Sequence, residues 1–498
     1  IFKNVFTSPL GTIVSLDESR IKEGMIVVGT DDGLVQVTKD NGVSWKKFEN
    51  FPGIPPRSYV TDVVASKHDV NTMYVTFNYH KYGDYKPYII KTSDGGSSWK
   101  MISSNLPKNN FVWSVVEDHI NSNILFVGTE FGMYYSINGG ANWNKFKDVP
   151  TIAIRDLEIH EGEDDLVAAS FGRGFYIVDD YSPIREVSKD FLLKDAHLFS
   201  VKDALQFIIA SPEKSATGHN FFTSPNPPYG VKLSYYLKER LISKEDRRQK
   251  EEKSKFNKSE SINYPSKDQL DEEIKEEKPK IFLTIESLNG DIVRRVEGNN
   301  SPGYNETYWN LRTYSYRNIE DENNYSGPLV PPGTYNVHLS KYENNTFTEL
   351  TEKQSFEVIQ HGSKSTQKER FDLYNFQLKF DKLFSDFEKL VDDIDDAIED
   401  VNGEINTVIN SKSATNVNYM HMKKSKLMDL RMILTGKLSL NYADVFSGSP
   451  PSIQRRLGGM SWELSNTTSR QTKSHEKTYN ISKKKYDEVV KKFKEIIG

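Results

Sequence analysis

Three hydrophobic periods follow one another along the chain. Over the first third, short stretches alternate apolar and polar residues, the pattern of half-buried strands. Val60-Thr-Asp-Val-Val with Asn71-Thr-Met-Tyr-Val-Thr-Phe77 is one such pair, and Val112-Trp-Ser-Val-Val with Asn123-Ile-Leu-Phe-Val-Gly-Thr129 is another. Ile154-Arg-Asp-Leu-Glu-Ile with Asp165-Leu-Val-Ala-Ala-Ser-Phe171 is a further copy. Between about 195 and 360 the alternation recurs in separate runs at Val231–Lys238, Ile281–Glu286 and Thr334–Leu339, with turn signals at Asn289-Gly290 and Pro331-Pro332-Gly333. From about Thr366 the period becomes helical. Phe380, Leu383, Phe384, Phe387, Val391, Ile394, Ile398 and Val401 share one face, with Asp392, Asp393, Asp395 and Asp396 outside it. Further stripes start at Leu427, Ile453 and Tyr486, and Ser449-Pro450-Pro451 predicts a helix start.

A repeat punctuates the first region. Thr38-Lys-Asp40-Asn-Gly42-Val-Ser-Trp45, Thr92-Ser-Asp94-Gly-Gly96-Ser-Ser-Trp99 and Ser136-Ile-Asn138-Gly-Gly140-Ala-Asn-Trp143 align without gaps. Such an octet suits a tight hairpin: the Asp or Asn accepts from turn amides, Gly permits positive φ, and Trp packs back on the sheet. Four short strands per repeat, at spacings near 40 to 50 residues, predict β-propeller blades. The expected architecture is multidomain. An all-β partial propeller of about four blades occupies 1–190, an immunoglobulin- or fibronectin-like β-sandwich 191–362, and an α-helical bundle 363–498. Within the sandwich, 23 of the 41 residues from 240 to 280 are charged; this segment buries too little to offset its ordering entropy, so a solvated insertion is expected.

Composition narrows the function classes. The 498 residues include no cysteine, which excludes disulfides and thiolate metal centres. A net charge of −5 gives no reason to expect nucleic acid. No apolar run approaches the length of a membrane-spanning helix, so no transmembrane segment is expected. The ten histidines form no metal-binding motif, and no metal or cofactor is expected. The start at Ile1, without methionine or signal features, leads to the expectation of more polypeptide upstream.

The run Phe77-Asn-Tyr-His80-Lys-Tyr-Gly-Asp84-Tyr-Lys-Pro87-Tyr88 before the second octet resembles the bacterial sortilin-like, BNR/Asp-box propeller proteins, often labelled glycosyl hydrolases and common in Bacteroidetes. Gly128-Thr-Glu-Phe-Gly132, Phe171-Gly-Arg173-Gly, Asn226-Pro-Pro-Tyr229, Tyr308-Trp309-Asn-Leu-Arg312 and Gly327-Pro-Leu-Val-Pro-Pro-Gly333 resemble the same family's later signatures. The resemblance implies the C-terminal half of a longer protein with missing N-terminal blades. It also implies an extracytoplasmic location (periplasm, outer-membrane surface or secreted) and membership of a larger envelope complex. It implies no established reaction, and the cysteine-rich module of sortilin has no counterpart here.

Candidate chemistry is sparse. Glycoside hydrolysis needs two carboxylates flanking a bond, and Asp31, Asp32, Asp84, Glu130, Asp156, Asp179 and Asp180 are available, but sequence does not pair them. Asp40, Asp94 and Asn138 belong to turns. Arg57, Arg155 and Arg173 are the blade arginines weighed for anion recognition, and each has a structural reading as well. Asp31-Asp32-Gly33 and Asp179-Asp180 fit turn chemistry better than calcium. The ligand-binding candidates are therefore Tyr79, His80, Tyr82, Asp84 and Tyr85, in a lengthened loop of the second blade, with Arg173 between two glycines. Packing of that loop on its neighbour, and an ion pair for Arg173, are the structural alternatives. The expected function is non-enzymatic binding or scaffolding with a protein, peptide or glycan partner; the alternative is a glycoside hydrolase with its cleft in the full propeller. The blades should form an open ring, the three octet tryptophans should be buried alike, and ligand contacts should use the face opposite the octets.

Overall fold

Each repeat of the first third folds into its own antiparallel sheet, with strands in sequence order. The computed structural model describes residues 11–188, 190–209, 224–317, 327–410, 417–436, 451–465 and 467–498. The first blade contains β1 (Ile13–Glu18), β2 (Ile26–Thr30), β3 (Val35–Thr38) and β4 (Lys46–Phe48). The second contains β5 (Tyr59–Ala65), β6 (Met73–Tyr79), β7 (Asp84–Thr92) and β8 (Lys100–Met101). The third contains β9 (Val112–Glu117), β10 (Leu125–Thr129), β11 (Gly132–Ser136) and β12 (Asn144–Lys145). The fourth has three strands among the described residues, β13 (Ile154–His160), β14 (Asp165–Ser170) and β15 (Phe175–Val178). No strand of the first blade pairs with the fourth among the described residues, although Arg20 and Glu161 form an ion pair between them.

The octets close the turns between third and fourth strands. Asp40 Oδ1 accepts from the Ser44 amide at 2.9 Å and from the Thr38 hydroxyl at 2.8 Å. Asp94 repeats this with Ser98 and Thr92, both at 2.8 Å, and Asn138 with Asn142 at 2.8 Å and Ser136 at 3.0 Å. Hydrogen bonds from the Ser44 hydroxyl and amide hold the Asp40 carboxyl down at about 2, and those from Ser98 do the same for Asp94. The octets also register blade against blade. Trp99 meets Phe48 and Phe51 edge-on, and the Trp143 indole donates to Ile102 O at 2.7 Å.

The expected equivalence of the three tryptophans fails at Trp45. Trp143 is 4% exposed, Trp99 is half-buried, and Trp45 is 43% exposed. The later two rest on segments leaving the preceding blade; Trp45 has no such segment beneath it among the described residues, and its indole turns back to Gly42 O. The same contrast marks both end blades. Ile13 is 56% exposed where its equivalents Val60, Val112 and Ile154 are 0%. Phe175 is 73% exposed where Val35, Ile89 and Met133, at the same register position, are 0%.

Residues 194–498 form a second compact unit. Its sandwich sets β16 (Ala196–Leu198), β18 (Val231–Leu237) and β21 (Gly303–Trp309) against a larger sheet. The larger sheet holds β17 (Ala204–Gln206), β19 (Lys280–Ser287), β20 (Ile292–Gly298), β22 (Gly333–Glu343), β23 (Thr346–Glu349) and β24 (Gln354–Gln360). Leu233, Tyr235, Ile281, Leu283, Trp309 and Val337 fill the core between them. The charged insertion is solvated but not structureless: α1 (Lys244–Asn257) and α2 (Lys267–Lys275) occupy it with no buried residue. Ser243 and a Ser266–Gln269 capping box start these helices, and Arg248 joins Glu273 at 2.7 Å, so local bonds replace a core. The bundle contains α3 (Gln367–Asn410), α4 (Val417–Thr435), α5 (Ile453–Ser465) and α6 (Lys473–Ile497), packed around Phe387, Ile394, Leu427, Leu457 and Val489. Ser449 and Pro450 lie outside the described residues; Pro451 precedes α5.

Candidate functional site

In every blade the innermost strand carries a β-bulge at the same place. The register skips Val14 in β1, Thr61 in β5, Trp113 in β9 and Arg155 in β13. A bulge re-aims one side chain without moving its neighbours. The residues on either side are structural: Val60, Val112 and Ile154 enter the contact with the preceding blade, and Ser15 and Asp62, after the bulge in the first two blades, bind the next inner strand. Ser15 Oγ accepts from the Val63 amide at 3.0 Å, and Asp62 Oδ2 from the Val115 amide, also at 3.0 Å. These side chains satisfy amides that an edge strand would otherwise leave unpaired. Enclosure, offset only in part by the Val115 and Ser15 bonds and reinforced by the charge of Asp156, pushes the Asp62 carboxyl up to about 7.

Strand order places the turns between second and third strands on the rim opposite the octets. His80, Tyr82 and Arg173 belong to such turns, Tyr79 and Asp84 end the strands that flank one of them, and the bulged residues Trp113 and Arg155 lie against His80 and Phe171. His80 stacks on Phe111 with ring centroids 5.0 Å apart and meets Trp113 at 6.1 Å. Phe111 packs edge-on against Trp113 at 5.0 Å, and Tyr85 approaches Phe111 at 6.5 Å. The Arg155 guanidinium lies 3.5 Å from the Trp113 ring centre and 4.7 Å from that of Phe171. The Trp113 indole donates to Glu130 Oε2 at 2.9 Å. Burial and the nearby Lys81 hold the His80 imidazole below its ordinary value against the opposing pull of Glu130. Its Nδ1 then donates to Asn78 Oδ1 at 2.7 Å.

The sequence candidates divide. His80 and Tyr85 join the aromatic cluster, while Tyr79 and Tyr82 stack on each other at 4.4 Å. Asp84 is committed to its own strand, accepting from the Tyr88 hydroxyl at 2.7 Å and the Lys86 amide at 3.1 Å. Arg173 stands exposed on a turn where a Cβ added to either flanking glycine would meet nothing within 4 Å. Phe111, Trp113 and Phe171 were not among the candidates, Glu130 was weighed only as one carboxylate of seven, and Arg155 only as one arginine of three. The signal was present in the aligned strands: Val60-Thr61-Asp62, Val112-Trp113-Ser114 and Ile154-Arg155-Asp156 differ most at the middle position.

Other acids have turn roles. Asp31 Oδ1 accepts from the Gly11 and Thr12 amides at 2.7 and 2.9 Å, and Asp180 Oδ1 from the Ser182 hydroxyl at 2.6 Å. Among the described residues no group of three or more His, Asp or Glu side chains converges as a metal site. Among the described residues no helix is long and apolar enough to cross a membrane.

No family model matches the chain, and no curated protein matches it. Solved structures similar to it in part are β-propeller proteins. YCF48 bound to D1 peptide aligns at 18% identity over 34% of this chain and 53% of that one, with a TM-score of 0.27. A GH74 xyloglucanase from Xanthomonas campestris aligns at 10% identity over 34% of this chain and 29% of its own, TM-score 0.28. The extracellular domain of a putative hybrid two-component system from B. thetaiotaomicron aligns at 11% identity over 70% of this chain and 38% of its own, TM-score 0.27.

Proposed function

We propose that this chain is a non-enzymatic binding or scaffold protein of the bacterial cell envelope, and that the rim opposite the octets holds its peptide or protein ligand. The carrying observation is the cluster of His80, Phe111, Trp113, Arg155 and Phe171, contributed by three successive blades, with Trp113 and Arg155 held on strands. Broad rings with polar edges suit peptide backbones and side chains. The acids of this rim support binding over hydrolysis: Glu130 is held by the Trp113 indole and Asp84 by the Tyr88 hydroxyl. Titrating the full chain with panels of peptides and oligosaccharides tests the reading. A bound peptide should lose about tenfold or more in affinity with Trp113→Ala, as buried aromatic anchors do; unchanged affinity in both Trp113→Ala and Tyr82→Ala defeats it.

One observation favours glycoside hydrolysis. Asp62, its carboxyl pushed up to about 7, lies within electrostatic reach of Asp156, and a raised acid beside a second carboxylate is what such hydrolysis uses. Both Asp62 oxygens already accept hydrogen bonds, from Ser15 and Val115, which supports the structural role instead. Release of reducing sugar that vanishes in Asp62→Asn would reinstate the hydrolase.

The exposed end faces fit further blades of the same kind. Ile13, Trp45 and Phe175 occupy positions that neighbouring blades cover elsewhere, so the intact protein carries additional blades beside β1 and β15. The mass of the intact protein in its source cells tests this; a monomeric polypeptide of 498 residues contradicts it.

A further inference from the structure

We propose that Arg155 is a carboxylate receptor and that the ligand of the rim is a peptide presenting a carboxylate beside an aromatic or apolar side chain; this rests on the binding role proposed above. The guanidinium lies over both the Trp113 and the Phe171 rings, at 3.5 and 4.7 Å from their centres, so aromatic contacts hold the group while its N–H donors stay unbonded among the described residues. Its Nε is buried and has no hydrogen-bond partner. Glu130, the nearest acid of the cluster, is bonded to the Trp113 indole, and among the described residues no carboxylate pairs with Arg155.

An enclosed guanidinium with an unmet N–H edge is costly to leave bare, and a carboxylate meets that edge with two parallel hydrogen bonds. The bulge in β13 holds the residue on a strand, not on a loop, so the fork is oriented before the ligand arrives. On the same rim, neutral His80 and the exposed Tyr82, Phe131 and Phe171 offer apolar surface for the neighbouring side chain, and Arg173 adds positive charge.

A peptide carboxylate has two sources, the C-terminus and an Asp or Glu side chain. Calorimetric titration of the full chain would use N-acetyl-Ala-Ala-Phe with a free C-terminus, the same peptide amidated, and amidated N-acetyl-Ala-Asp-Phe. A glucuronic-acid oligosaccharide supplies the non-peptide arm. At least one carboxylate peptide should bind about tenfold or more tightly than the neutral amide, and its affinity should fall with salt. The better of the two identifies the source. Arg155→Gln should abolish the preference, and Arg155→Lys should restore only part of it because an ammonium lacks the planar fork. Circular dichroism of both variants checks that they fold.

Equal binding of acid and amide, a preference surviving in Arg155→Gln, or no binding of either carboxylate peptide overturns the proposal. Stronger binding of the uronate overturns its peptide assignment. Neutral-peptide binding that depends on Trp113 but not on Arg155 leaves the rim reading standing while the carboxylate inference fails.

Discussion

Gly96 lies so close to Phe48 that a Cβ added to it would stand 2.4 Å from the ring. The second octet is thus seated directly on the first blade, and its φ of +85° adds a backbone preference for glycine. Gly96→Ala should combine overpacking with left-handed strain and cost about 3 kcal/mol. Gly172, with φ +82° and open space where a Cβ would stand, should cost about 1 kcal/mol as Ala, from the backbone alone. Urea midpoints of the two variants separate the effects.

Trp143→Ala should destabilise by about 3 to 5 kcal/mol, since the indole is buried and its N–H is bonded. Trp45→Ala should cost about 1 kcal/mol in this chain, because its ring is 43% exposed. Denaturation followed by tryptophan fluorescence compares them.

Asp62 makes stability depend on pH. Its folded value of about 7 stands above the ordinary 3.8, so between these limits the folded state holds a proton that the unfolded chain has lost. Stability from this group therefore falls as pH rises from about 4 to about 7 and is level above. Asp62→Asn should remove the slope, narrowing the difference between urea midpoints at pH 5 and pH 8.

Arg185 ties Asp118 and Asp164 together at 2.7 and 2.6 Å, with the Tyr181 hydroxyl also on Asp118. Burial pushes the Asp118 carboxyl up, but the Arg185 and Tyr181 bonds outweigh it and hold it below its ordinary value. That stabilisation is present above the usual carboxylate range and lost as pH falls through the folded value. Arg185→Met leaves Asp118 buried without its cation and should cost about 3 to 5 kcal/mol at neutral pH, with a smaller deficit in acid. Thermal melts at both pH values check it.

Much of the fold was legible because blades and helices repeat. Asp40, Asp94 and Asn138 announce their turns through local spacing, and Phe380, Phe387 and Ile394 announce a buried helix face. Burial of Trp45 was not legible, since it depends on what lies beneath the octet and not on the octet. The helices of the charged insertion were overlooked because composition says nothing about caps, although Ser266 and Gln269 stand at capping-box spacing. At the rim, sequence found the loop carrying His80 and Tyr85 but missed Trp113 and ranked Arg155 with other arginines. Their meeting depends on a register skip in neighbouring blades, which alternation alone conceals.

The shared bulge has an evolutionary consequence. Val14, Thr61, Trp113 and Arg155 occupy one slot in four successive copies, while Val60, Val112 and Ile154 beside it pack copy against copy. Selection can therefore exchange the occupant of the slot, one codon at a time, while the apolar contacts beside it keep the blades docked. Duplication of a blade supplies a fresh slot already facing the same mouth. A lineage built this way can change what it recognises while keeping its shape.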